Sequence, residues 1–268
     1  LLDAGSGHTN YSWSTGETTQ TIYADTAGTY NVTVGNGTAV TNNYSLSFDG
    51  LDDNLVISHD NNYTYTQNGL TIQFDLRPYN LNDPNSPSAD YLIWKIDESS
   101  GDGLNGKGFD IGFNNSGLFF RWSQSGNNSI STTVYTIDAS YLNFTLFQSI
   151  AFVTTNNSLQ AYVNGVFIGE TILPSIFNTL DFGTSDIYIG KPQAPASGQI
   201  APVQADIDNF QIWNIALSLQ EIQQYMNSPL IGNEAGLVGY WNFNEGSGNT
   251  VTDLTSNGNN GTINGATW

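Results

Sequence analysis

The chain has no cysteine and only one methionine in 268 residues. The first absence excludes disulfide staples, zinc–thiolate centres and cysteine nucleophiles. Basic residues are scarce: five Lys and Arg face 24 Asp and Glu, a formal net charge of −19. Such a surface repels phosphate backbones and anionic lipid, which makes nucleic acid a poor partner, and it attracts divalent cations. Solubility in a salty exterior accounts plainly for the bulk of these acids. No apolar run approaches twenty residues, so no membrane insertion is expected. The N-terminus has no basic region followed by an apolar stretch, so no signal peptide is expected, and the abrupt Leu1-Leu2-Asp3 start reads as a cut through a longer polypeptide. Catalytic signatures are also missing. There is no GxSxG, P-loop or HExxH, no EF-hand loop, and no ExDxE strand that would turn three carboxylates into one cleft. Asp97 and Glu98 are adjacent and point to opposite faces. His8 and His59 lie in polar stretches and read as surface residues. The expectation is that the chain is not an enzyme.

What the sequence does contain is strand material. At 38% hydrophobic and 13% aromatic residues, it can bury one large core, with or without a small appendage. Short runs rich in Val, Ile, Thr, Tyr and Phe recur between Gly, Asn, Ser and Asp: YNVTV at 30–34, LTIQFDL at 70–76, YLIWKI at 91–96, GLFFRW at 117–122, SIAFVTT at 149–155 and SDIYIG at 185–190. Between two alternating runs, Asn164-Gly165 suits a two-residue hairpin with positive φ at both central positions. One helix is predicted in LSLQEIQQYM at 217–226. Ser218 and Glu221 form a capping box there, and Leu219, Ile222, Gln223 and Met226 define a mostly apolar face whose role is packing. Many short strands with turn signals indicate a sandwich or barrel.

The chain divides near residue 42. Residues 1–42 hold three short predicted strands, too few for a complete two-sheet unit. WSTGETTQTI at 13–22 and GTYNVTV at 28–34 resemble the end of immunoglobulin-like repeats in large secreted proteins of Bacteroidetes. The face left open by the missing strands must pack on the next domain or stay partly exposed. Residues 43–268 form the main domain.

Four anchors in that domain carry a more specific resemblance: YSLSFDGLDDNLVI at 44–57, AYVNGVFIG at 161–169, IDNFQIWNIALSLQEI at 207–222, and YWNFNEGSG with NGNNGTINGATW within 240–268. Together they resemble the laminin-G-like, concanavalin-like jelly rolls of bacterial surface proteins. The resemblance implies two antiparallel sheets stacked face to face, in agreement with the strand pattern. It also implies a sugar- or protein-binding module, often with bound calcium. The expected fold is therefore all-β, a two-sheet antiparallel jelly-roll sandwich with one short helix, preceded by a partial immunoglobulin-like β segment.

Asp49, Asp52 and Asp53 crowd one strand–turn–strand junction. Calcium takes six to eight oxygen ligands, and a strand end followed by the Gly50 turn can turn a carboxylate and nearby carbonyls toward one point. The resemblance implies that Asp49 and Asp208 share a calcium ion near the two ends of the roll, with the Leu51 carbonyl as a third ligand. Asp52 and Asp53 are further candidates. The competing reading is that Asp49 and Asp208 merely cap turns. The stretch DLTSNGNNG at 253–261 reads as a turn rather than a second ion site.

For a ligand surface, strand alternation places Lys95 with Tyr91, Ile93 and Asp97, and Arg121 with Phe119 and Ser123. Tyr91, Lys95, Phe119 and Arg121 then offer an aromatic and polar platform of the kind that binds sugars. Alternatively, these bases pair with the abundant acids. Trp94, Trp122, Trp213 and Trp241 read as core. Long segments at 80–90, 97–108 and 191–205 are candidate rim loops. Asn31, Asn62 and Asn143 sit in Asn-x-Ser/Thr sequons, and Asp25-Thr26-Ala27 resembles a short O-glycosylation signal of Bacteroidetes.

The combined expectation is a non-catalytic calcium-binding adhesion module, secreted or attached to the cell surface. Its partners would be a glycan or cell-surface protein and neighbouring domains of the same large polypeptide. Two alternatives stay open: an accessory module of a polysaccharide-degrading enzyme, and a ligand-free spacer in a surface filament.

Overall fold

The fold comes from a computed structural model that describes residues 1–4, 10–24, 28–35, 44–63, 68–80, 90–97, 107–124, 130–155, 157–173, 184–190 and 201–268. His8, Lys191, Asp25-Thr26-Ala27 and most of the three long candidate loops lie outside the described residues.

Among the described residues there are twenty strands, the longer ones rich in branched and aromatic side chains. Four lie in the N-terminal segment: β1 (Leu2–Asp3), β2 (Asn10–Trp13), β3 (Thr21–Ile22) and β4 (Val32–Gly35). Next come β5 (Leu46–Asp49), β6 (Asn54–Ile57), β7 (Leu70–Pro78), β8 (Asp90–Asp97), β9 (Lys107–Asn114), β10 (Gly117–Gln124) and β11 (Ile130–Asp138). They are followed by β12 (Gln148–Thr154), β13 (Ser158–Val163), β14 (Val166–Ile172), β15 (Ile187–Ile189), β16 (Ala201–Pro202) and β17 (Gln204–Trp213). After the helix α1 (Leu219–Asn227) come β18 (Leu237–Trp241), β19 (Thr250–Val251) and β20 (Gly261–Asn264).

Two large sheets hold the strands from β5 onward. One runs β11-β10-β9-β8-β15-β6-β20-β19, with β16 added parallel to β8; the other runs β14-β13-β12-β7-β17-β18, with β5 added to β17. Every other pair within them is antiparallel. The apolar faces of both meet in one buried cluster, where Phe120 of β10 and Phe152 of β12 lie 5.3 Å apart between ring centroids. This is the all-β, two-sheet antiparallel sandwich, consistent with a jelly roll, that the family resemblance implies, and it resolves the sandwich-or-barrel choice that the strand pattern leaves open. All four tryptophans read as core are buried: Trp122 and Trp241 between the sheets, Trp94 and Trp213 in smaller apolar clusters on their outer faces.

The hairpin and helix form where the sequence places them, and they touch each other. Asn164 and Gly165 join β13 to β14 with φ of 50° and 68°. The Gly165 carbonyl accepts a 2.9 Å hydrogen bond from Gln223 Nε2, and a side chain at Gly165 would run into Gln223 and Met226. Ser218 and Glu221 complete the capping box. The helix buries Ile222 and stacks Tyr225 on Trp213, while Leu219 stays exposed, so its packed face is turned from the expected one.

Residues 1–35 form two small ladders, β1 with β3 and β2 with β4. Trp13 is buried, donates from its indole to the Thr19 carbonyl at 2.8 Å, and lines a crevice opposite Gln220 and Gln223 of α1. The N-terminal segment thus leans on the helix.

Candidate functional site

Asp49 ends β5 on the outward side because Leu46 and Phe48 take the core positions. The chain then turns and enters β6 within five residues, which gathers the acids. Carboxylate oxygens of Asp49, Asp52 and Asp53 lie within 4.8 Å of one another. Asp53 Oδ2 accepts from the Asp49 N–H at 2.9 Å, and Asp49 Oδ1 accepts from the Leu51 N–H at 2.8 Å. Turn capping is therefore present, and it coexists with the cluster. Asp53 is buried beside Gly265, where a β-carbon would collide with its Oδ1. Burial pushes the Asp53 carboxyl up, the Asp49 N–H pulls it back, and the charges of Asp49 and Asp52 raise it further. Asp49 and Asp52 are exposed and Leu51 lies between them. Hard oxygen donors in one small volume, two of them open to water, fit an oxygen-seeking divalent ion; the cluster could hold a metal.

Asp208 is not part of that cluster. Register decides this: Asp49 faces Gln204 on β17, whereas Asp208 sits four residues further along, opposite Asp75 of β7. At about 3.3 Å per residue that is about 13 Å of strand. A bulge between Asp208 and Gln211 also turns both Ile207 and Phe210 into the core, where strict alternation separates them. The 253–261 stretch is the turn that was expected. Asp253 accepts from the N–H groups of Tyr240, Thr255 and Asn259 at 2.9–3.2 Å.

The aromatic platform forms only in part. Tyr91 and Phe119 pack edge to face at 5.9 Å, and the Arg121 guanidinium lies over both rings at 5.2 and 5.9 Å. Lys95 is not with them. A bulge between Tyr91 and Ile93 shifts the face by one residue, so Trp94 and Ile96 join Tyr91 instead. Lys95 is fully buried; its ammonium donates to the Ser185 carbonyl at 2.7 Å and contacts His59 Nδ1 at 3.2 Å. Arg121 is held by Asp110 at 2.7 Å and Arg77 is paired with Asp206, so both arginines serve the acids. With Tyr91 and Phe119 only 5% and 3% exposed, this cluster is packed structure, not an open surface.

An open concavity lies elsewhere. Where α1 ends, β17 and β18 present their outer faces, and a cavity of about 430 Å³ opens between them. Its walls include Asn209, Gln211, Tyr225, Asn227, Tyr240 and Asn242. The sequence gives little warning of it. Its residues come from four separate stretches and belong to no motif.

Residues 48–223 match the model of Laminin_G_3, the concanavalin A-like lectin/glucanases superfamily. The chain belongs to this family. No curated protein matches it. Among solved structures, this Laminin_G_3 chain is similar to a Bacteroides ovatus protein provisionally described as carbohydrate-binding, at TM-score 0.58 and 16% identity over 83% of this chain and 58% of that one. It is also similar to a SAP-like pentraxin of Limulus polyphemus (TM-score 0.48, 13% identity, 82% of this chain, 93% of that one). A third is the binding domain of botulinum neurotoxin DC in complex with rat synaptotagmin II (0.48, 16%, 77% and 51%). The Laminin_G_3 chain thus spans a little over half the length of the Bacteroides protein it resembles.

Proposed function

We propose that the chain is a non-catalytic, calcium-stabilised carbohydrate-binding module of a large secreted or surface-attached adhesin. Residues 1–42 would be the end of an immunoglobulin-like repeat that precedes the module. The carrying observation is the Asp49, Asp52, Asp53 cluster at the β5–β6 junction of a lectin-type sandwich. A cation there would neutralise a repulsion that Asp53 already registers. The ion's task would be to fix the junction. Asp49, Asp52 and Asp53 would hold it, with the Leu51 carbonyl beside them, and water would complete the shell. The family and the Bacteroides ovatus neighbour support a sugar as ligand. Among the described residues no helix is long and apolar enough to cross a membrane.

Thermal unfolding with calcium, magnesium or EGTA tests the ion. The expected result is a higher Tm in calcium than in EGTA, with magnesium giving less. A ligand at a hundred times its Kd stabilises by about 2.7 kcal/mol. Superimposable curves in calcium and EGTA would remove calcium from the reading.

A further inference from the structure

The cavity at the end of α1 has features that packing alone does not require. Among the described residues, three other than glycine take a positive φ: Asn164, Asn209 and Phe243. Asn164 is explained by its hairpin. The other two belong to the cavity. Asn209 sits in the β17 bulge and lines it; Phe243 is buried in the core between Asn242 and Asn244, which both line it. Left-handed backbone is tolerated by Asn but is an outlier for a bulky aromatic, and such strain collects where a side chain must be aimed.

The polar groups are committed in a way that leaves a defined offer. Asn209 is engaged at both ends: its Nδ2 donates to Asp75 Oδ2 at 2.9 Å and its Oδ1 accepts from the Tyr240 hydroxyl at 3.2 Å. Gln211 uses its carbonyl on Trp213 Nε1 at 3.2 Å, and Asn242 uses its own on the Asn244 N–H at 3.3 Å. What these two side chains have to give is N–H. Asn227 donates its amide to the Gln223 carbonyl at 2.8 Å, so its side-chain oxygen is what it can offer, and the Tyr240 oxygen can accept as well. Tyr225, already stacked on Trp213 at 4.6 Å, adds an aromatic wall. Neutral donors and acceptors beside a fixed ring match a polyol.

Charge narrows the class. Among the described residues, none that lines the cavity is ionic. Burial pushes the Tyr240 phenol up, and the charges of Asp208, Asp75 and Glu234 raise it further, so the floor of the cavity sits in a negative field. With −19 on the whole chain, an anionic sugar is repelled.

We infer that the cavity formed by β17, β18 and the end of α1 binds a neutral hexopyranose or N-acetylhexosamine unit and rejects uronic, sialylated and sulfated sugars. The site rests on the carbohydrate-binding reading and gives it a location and a ligand class. The volume, about 430 Å³, falls within the roughly 300–1,000 Å³ of small-molecule sites.

The test has two arms. First, the full chain is applied, with calcium, to a glycan array holding neutral oligosaccharides beside uronic-acid, sialylated and sulfated ones; neutral glycans alone should score. Second, the best-scoring neutral oligosaccharide is titrated calorimetrically against wild type, Asn227→Ala and Leu254→Trp. The first removes an exposed acceptor, and the second blocks the rim from an exposed position. Each should weaken binding at least about tenfold, the equivalent of about 1.4 kcal/mol; Tm is measured for both, with Leu254→Trp expected to leave it unchanged and Asn227→Ala to lower it slightly through the lost bond to the Gln223 carbonyl. Gln211→Leu, whose side chain is buried, serves as a third variant with its Tm measured alongside. Wild-type affinity in all three would overturn the location while leaving carbohydrate binding intact. Scoring by anionic glycans would overturn the class. Silence across the whole array would overturn both this inference and the reading beneath it.

Discussion

Asp110 of β9 and Arg121 of β10 face each other across one register position, and the carboxylate of this pair is wholly buried. Arg121 Nε and Nη2 both donate to Asp110 Oδ2, and among the described residues Oδ1 accepts no hydrogen bond. The pair ties two strands on the outer face of the nine-stranded sheet at the cost of burying a charge.

Breaking this pair from one side should be far worse than removing both partners. Arg121→Met leaves a buried carboxylate with no cation, which typically costs about 3–5 kcal/mol. The double variant Arg121→Met, Asp110→Leu should recover most of that loss. Urea unfolding of the three proteins measures it, and a double variant as weak as the single one would contradict the argument.

The same residue sets a pH dependence. Burial pushes Asp110 up to about 6, with Arg121 pulling it back. A folded carboxyl above its unfolded value binds its proton more tightly in the native state. Its contribution is fully present below about pH 4 and is lost as pH rises through about 6. Asp53 and Asp75, also raised by burial, have the same sign. In EGTA, Tm should therefore fall between pH 4 and 7, and Asp110→Asn should flatten that slope.

At the acid cluster, Asp52→Asn should separate two effects. It removes one of the charges that raise Asp53, so without a divalent ion it should be neutral or slightly stabilising. With calcium it should gain less Tm than wild type, because a ligand is lost. Parallel melts in EGTA and calcium show both. An equal calcium shift in variant and wild type would place the ion elsewhere.

The hairpin and the helix give local tests. Gly165→Ala forces a β-carbon into left-handed backbone and against Gln223 and Met226, and should cost about 1–2 kcal/mol or more. Ser218→Ala removes the cap of α1 and should cost about 1 kcal/mol. Urea midpoints with unchanged slopes would confirm both.

Features written in neighbouring residues were legible in the sequence: the Asn164-Gly165 turn, the Ser218/Glu221 box, the three clustered acids and the all-β strand pattern. Features set by a partner strand were not. The bulge after Tyr91 moved Lys95 to the other face, and the bulge at Asn209 turned Phe210 inward. No residue of β8 or β17 announces either, because a bulge is fixed by the register of the strands on both sides. Asp208 missed the acids for the same reason. The cavity was invisible because Asn, Gln and Tyr are common and meet there only after β17, α1 and β18 have packed.

One pairing bears on how the chain reaches its final form. Residues 54–57 of β6 are matched with 261–264 of β20, and Ser47 bridges Thr267. Strands so distant along the polymer join late and slowly. During vectorial synthesis β6 waits with one edge bare until residues 261–264 emerge. A chain cut before Gly261 would keep that edge open, a template for pairing with other molecules.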